Sequence, residues 1–515
     1  MPGAGTNERG GRFHSLRAVS EVTSTSPTNL PSRRANHRLH RMSTPPGSPQ
    51  DRSPTPWLEV FVAALPAALH AVVLLGRLHP DEIFQALEPA LQRAFGFGVQ
   101  AWEWRVGLRN QAVPIFFSWL LRAAHAVGID DVLGRRVVLE VPQYLLHAAM
   151  LGAVWRLSER RVGARLARWC LWLTALYAPV VWFGGRTMSE SFSVAFILWG
   201  LERLDDPEGR DAASVLGGLL LGLAVVTRYG SAAVVAPAML WLLVTRRFRT
   251  FAFATLGGLV MAGLLGALDR FTWGDWFHSF RAYVTFNVLT DQAATRFGAQ
   301  PPWLYLGRLL LAPWGALGLF AWRTEKTSRA WLLFVAGLGY FLAISATPHK
   351  EDRFIYPTLA LLSVAGTPAF VAFVARRWEA RAVKGLLAAA VLAGLAFFVF
   401  PSPWDPDRKE QFQLEVVASR FATGLVMLNE GIWGTGGFFF LGRNIPWCQC
   451  DFPTEQCFVE AMRDPRVNRG IYWSSGNEPE RDRIAHHAFE QAGFRLSEVR
   501  GHGQLFERNS KPPAP

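Results

Sequence analysis

Along the chain the apolar positions neither alternate nor recur on one face; they run together in blocks. The blocks lie at about 57–78, 112–128, 137–156, 169–183, 190–204, 212–227, 229–245, 251–268, 303–321, 330–346, 356–375 and 385–400. Most are close to the ~20 residues that cross a hydrocarbon core as helix. The pattern predicts an all-α polytopic membrane protein with eleven or twelve transmembrane helices.

The polar stretches between blocks orient it. Arg160/Arg161/Arg165/Arg168, Arg246/Arg247/Arg249, Arg323/Lys326/Arg329 and Arg376/Arg377/Arg381/Lys384 are basic clusters of the kind retained in the cytoplasm. Counting spans between them places residues 79–111, 184–189, 269–302, 347–355 and 401–515 outside, provided block 112–128 does not fully cross. That block is short and begins near Pro114, as a re-entrant or interfacial helix would. Eleven spans are therefore favoured, and a twelfth would break the charge rule at one loop.

Two regions depart from the block pattern. Residues 1–56 hold eight Arg against Glu8, Glu21 and Asp51, with many Ser and Pro, and read as a disordered basic tail. After Phe400 the composition becomes that of a soluble domain, with β-type runs at 424–431, 436–442 and 467–475, a helix at 479–492 and a strand at 494–500. A small extracytoplasmic α/β domain over 401–515 follows, with 57–400 as the membrane region. Gly431, Gly434, Gly436 and Gly437 suit turns rather than a phosphate loop, because no helix-opening GxGxxG accompanies them.

Composition agrees with the membrane reading: 50% of residues are hydrophobic and 18% charged, against about 25% charged in soluble domains. The net charge of +13 sits in the short loop clusters rather than on one basic face, so no nucleic-acid partner is expected. Cys448, Cys450 and Cys457 cluster outside the membrane, where a disulfide is a better expectation than zinc, since no paired His spacing accompanies them.

Chemistry concentrates at the external ends of the blocks. His79-Pro80-Asp81-Glu82, with Glu88 beyond, opens the first loop; alone, it reads as a helix cap after a proline. The loop continues through Trp102-Glu103-Trp104-Arg105, where an aromatic belt accounts for the tryptophans but not for the charges. Arg186 and Glu190 flank one span end, and Arg228 sits between two spans with snorkelling as its plain alternative. His349-Lys350-Glu351-Asp352-Arg353 fills a short external turn. Together these loops bring carboxylates able to take a hydroxyl proton and cations able to hold a phosphate leaving group. A transporter or flippase would also place charges near the membrane but calls for internal repeats, and none is visible. A membrane scaffold leaves the charged loops without a purpose.

The ordered set HPDE, WEWRxGLR, GGRTMSE, FNV, PPW and HKEDRFIYP, over about 57–360, resembles glycosyltransferase family 22, the polyprenyl- or dolichyl-phosphate-mannose-dependent mannosyltransferases of N-glycan and glycosylphosphatidylinositol assembly. The resemblance implies a GT-C bundle whose first external loop carries the base. Asp81 would take the acceptor proton, with Glu82 beside it, and the sugar would transfer with inversion as the lipid phosphate leaves. Lys350, Arg353 or Arg186 would meet that phosphate and His349 would shape the sugar pocket. His79, Glu88, Trp102, Glu103, Arg105, Glu190, Arg228, Glu351 and Asp352 complete the expected binding set. The implied partners are a polyprenyl- or dolichyl-phosphate sugar, a glycan or glycolipid acceptor and membrane lipids, with no cofactor and no metal. A GT-C transferase of another sugar is the nearest alternative. Ala101 and Asn110 depart from the Thr and Ser frequent near the WEW segment, which bears on the acceptor more than on the reaction.

Overall fold

The apolar blocks become helices because nothing within them breaks the backbone ladder, and their boundaries carry ordinary stop signals. Asp131 caps one helix by accepting the Gly134 N–H at 2.8 Å, and Gly96 ends another in the left-handed region. The computed structural model describes residues 54–290, 292–311, 317–320, 330–399, 408–429 and 434–508. The expected tail, apart from its last three residues, and the Arg323/Lys326/Arg329 cluster lie outside the described residues.

Helices Trp57–Val73, Val132–Val162, Ala164–Ala175, Ala178–Gly184, Ser189–Leu204 and Tyr356–Arg377 enclose the main core, with Val60, Leu151, Leu171, Phe183, Ile197 and Leu361 fully buried. Asp211–Thr227 crosses Phe248–Trp273 at a contact only glycine permits. A Cβ on Gly218 would lie 1.9 Å from the Ala254 carbonyl oxygen, and one on Gly257 would lie 2.3 Å from that of Val215. Phe248–Trp273 turns Leu256, Leu259, Val260 and Leu264 outward, an apolar face suited to lipid.

Among the described residues three helical stretches are long and apolar enough to cross a membrane: Val132–Val162, Phe248–Trp273 and Asp352–Arg377. Ala164–Ala175 and Ala178–Gly184 make a fourth if they are one span bent by 65°. Block 169–183 is therefore two helices, broken before Pro179, which opens the second. Ala112–Ala126 is a 15-residue helix that buries Phe117 and Leu121 and exposes Phe116 and Trp119.

The C-terminal region forms a five-stranded sheet of order β2-β1-β3-β5-β4, with β1 Leu425–Leu428, β2 Trp447–Cys450, β3 Arg469–Trp473, β4 Arg495–Arg500 and β5 Gly503–Glu507. β1 pairs in parallel with β2 and β3, while β5 runs antiparallel to β3 and β4. All four residues of β1 are buried, as a central strand requires. Helix Pro479–Gln491 and β4 fall where the sequence pattern places them. The expected strand over 436–442 is instead a short helix, Gly437–Leu441; its apolar run does not alternate, and short continuous runs carry no period. β2 and β5 lie where no strand was expected. Cys450 and Cys457 form a disulfide, and Cys448 is a half-buried thiol beside it.

Candidate active site

Pro80 turns the chain from the end of the first helix into a π-helical segment, Glu82–Leu87. Such wide turns are uncommon and recur where side chains must be aimed. Here the turn separates the two neighbouring acids. Glu82 folds back, accepting the Leu78 N–H at 2.5 Å and lying 3.6 Å from Arg186. Arg186 is fully buried and donates to the carbonyls of Gly76 at 3.0 Å and Leu74 at 3.3 Å. This pair fastens the segment that carries Asp81, while Asp81 itself faces a cavity.

Five stretches of chain meet at Asp81. Arg353 Nη1 lies 2.5 Å from Asp81 Oδ2, its Nε 2.5 Å from Glu351 Oε2, and its Nη1 3.5 Å from Glu190 Oε1. Arg228 Nη1 lies 2.6 Å from Glu190 Oε1 and 3.2 Å from Ser189 Oγ. Arg109 Nη2 is 3.9 Å from Asp81 Oδ2. His79 stands between two carboxylates, Nδ1 3.3 Å from Asp81 Oδ1 and Nε2 3.0 Å from Glu351 Oε2. Three carboxylates thus meet three guanidinium groups. Asp81 Oδ2 is buried and, despite its ion contacts, makes no aligned hydrogen bond.

The cavity above this cluster measures about 310 Å³ and is lined by His79, Asp81, Gln85, Trp102, Glu103, Arg109, Arg228, Tyr283, Phe286, Asn287, Phe297, His349, Glu351 and Arg353. A smaller recess bounded by Asp81, Gln85, Asn110, Ser189, Arg228 and Tyr229 adjoins it. One wall is aromatic: Trp102 lies 5.2 Å from Phe286 and 6.0 Å from Phe297, ring centre to ring centre, with the Arg296 guanidinium 4.1 Å above its face. The loop supplying Phe286 and Asn287 is fastened to the first loop through polar contacts. Asn110 donates to the Tyr229 hydroxyl at 2.9 Å, Tyr229 meets Ser279, and Ser279 Oγ donates to Asp269 at 2.6 Å. Trp273 Nε1 donates to the Arg109 carbonyl at 3.1 Å.

These contacts set the protonation states. Burial pushes the Asp81 carboxyl up, but Arg353, His79 and Arg109 outweigh it and hold the group far below the usual carboxylate range. Burial likewise opposes ionisation of Glu351, and Arg353 with the two histidines reverses that. Burial and Arg353 lower the His79 pKa, whereas Asp81 and Glu351 raise it further, leaving it above the ordinary histidine value. Glu103, buried and near Asp81, is pushed up.

Of the residues expected from the sequence, the structure gathers His79, Asp81, Trp102, Glu103, Arg228, His349, Glu351 and Arg353 on the cavity wall, with Glu190 buried between two of its arginines. It sets others apart from the cavity. Glu82 and Arg186 are the backbone fastening just described. Glu88 is fully buried, accepting N–H groups from Val99 at 2.5 Å and Phe439 at 2.7 Å. Lys350 turns inward onto the carbonyls of Ser345, at 2.9 Å, and Thr347, at the C-terminal end of a helix where cations are favoured. Asp352 pairs with Arg308 at 2.8 Å, and Arg105 is exposed. Gln85, Arg109, Tyr283, Phe286, Asn287 and Phe297 line the cavity without having been in the expected set. The FNV motif was the signal for two of them, and Arg109 closes the WEWRxGLR motif, though it was not named in the expected set.

Among the described residues the cluster whose ligand atoms come close enough to share a metal ion is Cys448, Cys450 and Cys457, and two of those are joined as the disulfide. The carboxylates at Asp81 are matched by arginines instead.

The site is thus a buried carboxylate held among arginines in a helical bundle, on the wall of a cavity with one aromatic side. The chain belongs to the Alg9-like mannosyltransferase family, whose model matches residues 57–402. It is 29% identical to GPI mannosyltransferase 3 of Yarrowia lipolytica over 60% of this chain and 61% of that protein. It is 27% identical to GPI alpha-1,2-mannosyltransferase 3 of Mus musculus over 60% of this chain and 57% of that one. The chain thus spans about three fifths of the length of the curated relatives it matches. The crystal structure of ArnT from Cupriavidus metallidurans bound to undecaprenyl phosphate superposes with a TM-score of 0.57 at 13% identity, covering 88% of this chain and 98% of that one. The two share the GT-C fold.

Proposed function

We propose that the protein transfers a mannosyl residue from a polyprenyl- or dolichyl-phosphate donor to a hydroxyl of a glycan or glycolipid acceptor, with inversion and with Asp81 as the base. The observation that carries this reading is the Asp81 carboxylate on the wall of a 310 Å³ cavity that also presents Arg109, Arg228 and Arg353. Asp81 takes the acceptor proton as the acceptor oxygen bonds to the anomeric carbon. The bond from that carbon to the donor phosphate breaks, and the phosphate keeps the electron pair. Its charge grows from about −1 toward −2, which arginines already fixed in place stabilise without reorganising. The family model and the named relatives support the sugar, and the lipid phosphate in the ArnT crystal supports the class of donor.

In this reading the described helices belong to an eleven-span bundle, Ala112–Ala126 lies at the interface, and the cavity and C-terminal sheet are extracytoplasmic. Single cysteines at Arg105 and Arg296, in a background lacking the native ones, then label from one side of the membrane and one at Arg249 from the other. Labelling of Arg105 and Arg249 from the same side overturns that topology. The chemistry is tested by reconstitution with polyprenyl-phosphate mannose and candidate acceptors. Asp81→Asn keeps the shape, removes the base and lowers turnover about 10³-fold; turnover equal to wild type rejects the assignment.

A further inference from the structure

Every transfer deposits a proton on Asp81 that must be shed before the next acceptor can be deprotonated. The lipid phosphomonoester that leaves has a second pKa of about 6, so above neutrality it departs mainly as the dianion and does not carry that proton away. Of the charged groups touching Asp81, Arg353 and Arg109 already hold all the protons they can bind. The third is His79.

Its ring is oriented for the task. The Asp81 backbone N–H donates to His79 Nδ1 at 3.2 Å, so Nδ1 keeps its lone pair on the Asp81 side and the neutral ring carries its hydrogen on Nε2. Nε2 faces Glu351 Oε2 at 3.0 Å, and Glu351 Oε1 in turn meets His349 Nε2 at 2.8 Å. The contacts therefore run Asp81, His79, Glu351, His349. Asp81 is the most enclosed of them, with a side chain 9% exposed; His79 is the most exposed at 28%, ahead of Glu351 at 23% and His349 at 15%.

Resting on the reading of Asp81 as the base, we propose that His79 is a proton relay, taking the acceptor's proton from Asp81 at Nδ1 and releasing the Nε2 proton to Glu351 and the cavity mouth. Each step moves one proton and nothing else. Asp81 loses the proton to Nδ1, Nε2 loses its own to Glu351, and Glu351 returns to carboxylate by passing it to His349 or water; the partly exposed ring then takes a proton from water at Nε2 and gives the Nδ1 proton to water, which restores the starting tautomer. The groups facing the imidazole set the direction. Arg353, 2.5 Å from both Asp81 and Glu351, disfavours a proton left on either carboxylate, while the two carboxylates make His79 the stronger base of the chain. Because only neutral His79 can accept, multiple turnover slows as the pH drops through a value above 6.5, whereas the first turnover, which needs only ionised Asp81, does not.

Rapid-quench measurement on the reconstituted full chain, with polyprenyl-phosphate mannose and acceptor, separates the first turnover from later ones. His79→Gln is expected to lower the steady-state rate about 10- to 100-fold and to lower the first turnover by less. It also removes the pH limb above 6.5, and added imidazole restores steady-state turnover to His79→Ala. A first turnover that falls as steeply as the steady state, with no rescue by imidazole, overturns the relay and leaves His79 as a binding group. An unchanged steady-state rate overturns it too. Wild-type protein that transfers no sugar contradicts the proposed function itself, so the two failures are distinguishable.

Discussion

One helix, Ser189–Leu204, carries two fully buried glutamates, Glu190 and Glu202, twelve residues and about 18 Å apart along its axis. Each meets arginines beside a cavity of about 310 Å³. Around Glu202 the partners come from one neighbouring helix and from the glutamate's own. Arg156 and Arg160 lie one turn apart on a single helix, Arg203 is the next residue, and Arg160 also donates to the Glu202 and Asp205 carbonyls at 3.3 and 3.2 Å. Cations on the last carbonyls of a helix offset its dipole, so this cluster closes a helix end. Around Glu190 they come from two separate loops, through Arg228 and Arg353, and Arg353 also reaches Asp81 on the cavity wall. Buried charge alone does not mark a reaction centre; on the proposed reading the mark is charge gathered from several loops around a carboxylate on the cavity wall.

The sharpest way to break this contrast is paired substitution. Asp81→Asn is expected to remove about 10³-fold of activity per folded molecule, roughly 4 kcal/mol of barrier, beside the stability lost with any member of a buried ion cluster. Glu202→Gln is expected to show the stability loss alone. Stripping one member from a buried ion cluster costs about 3 kcal/mol of stability, while activity per folded molecule stays at the wild-type level. A Glu202→Gln enzyme that folds fully and has lost its activity would make the two ends functionally alike.

A smaller effect concerns Glu88, which ties the first loop to the C-terminal region. Burial pushes its pKa up to about 7, only partly offset by the N–H groups of Val99 and Phe439. The folded state therefore holds this proton more tightly than the unfolded one, and stability declines as pH rises from about 4.5 to about 7, then levels off. The contribution is about 3 kcal/mol at most. Melting curves across that range are expected to show the decline in wild type and a flatter profile in Glu88→Gln; equal slopes rule it out. Smallest of all, Asp352→Asn, which breaks a half-exposed pair with Arg308, is expected to cost under about 1 kcal/mol. A larger loss would mean that this edge of the HKEDR turn is as tightly held as Arg353.

Much of this was legible in the sequence, because membrane helices announce themselves as apolar blocks and charge in the loops between them is conspicuous. HPDE and HKEDR do converge. What no linear pattern supplies is direction. Asp81 and Glu82 are adjacent, yet the π turn sends one to the cavity and the other to Arg186, and in the HKEDR run Lys350 bends back to cap its own helix while Arg353 reaches Asp81. Arg109 closes the WEWRxGLR motif, but its placement depends on Trp273 and Asn110 contacts that cross more than a hundred residues. Strand and helix were confused over 436–442 because seven consecutive apolar or glycine positions carry no period.

Gly437 has the backbone of a left-handed turn, φ +65°, and a Cβ there would sit 2.6 Å from the Glu88 carboxylate oxygen. Glu415 holds the neighbouring Gly436 N–H from the other side at 3.0 Å. The seam between bundle and sheet is thus no wider than a hydrogen atom allows. A single methyl group at 437 acts as a wedge, and trimming the chain before Lys409 strands the Glu88 carboxylate with one partner where it had two. The sheet is less a passenger than a keystone of the first loop, and transplanting either half into a relative calls for moving both faces of that seam together.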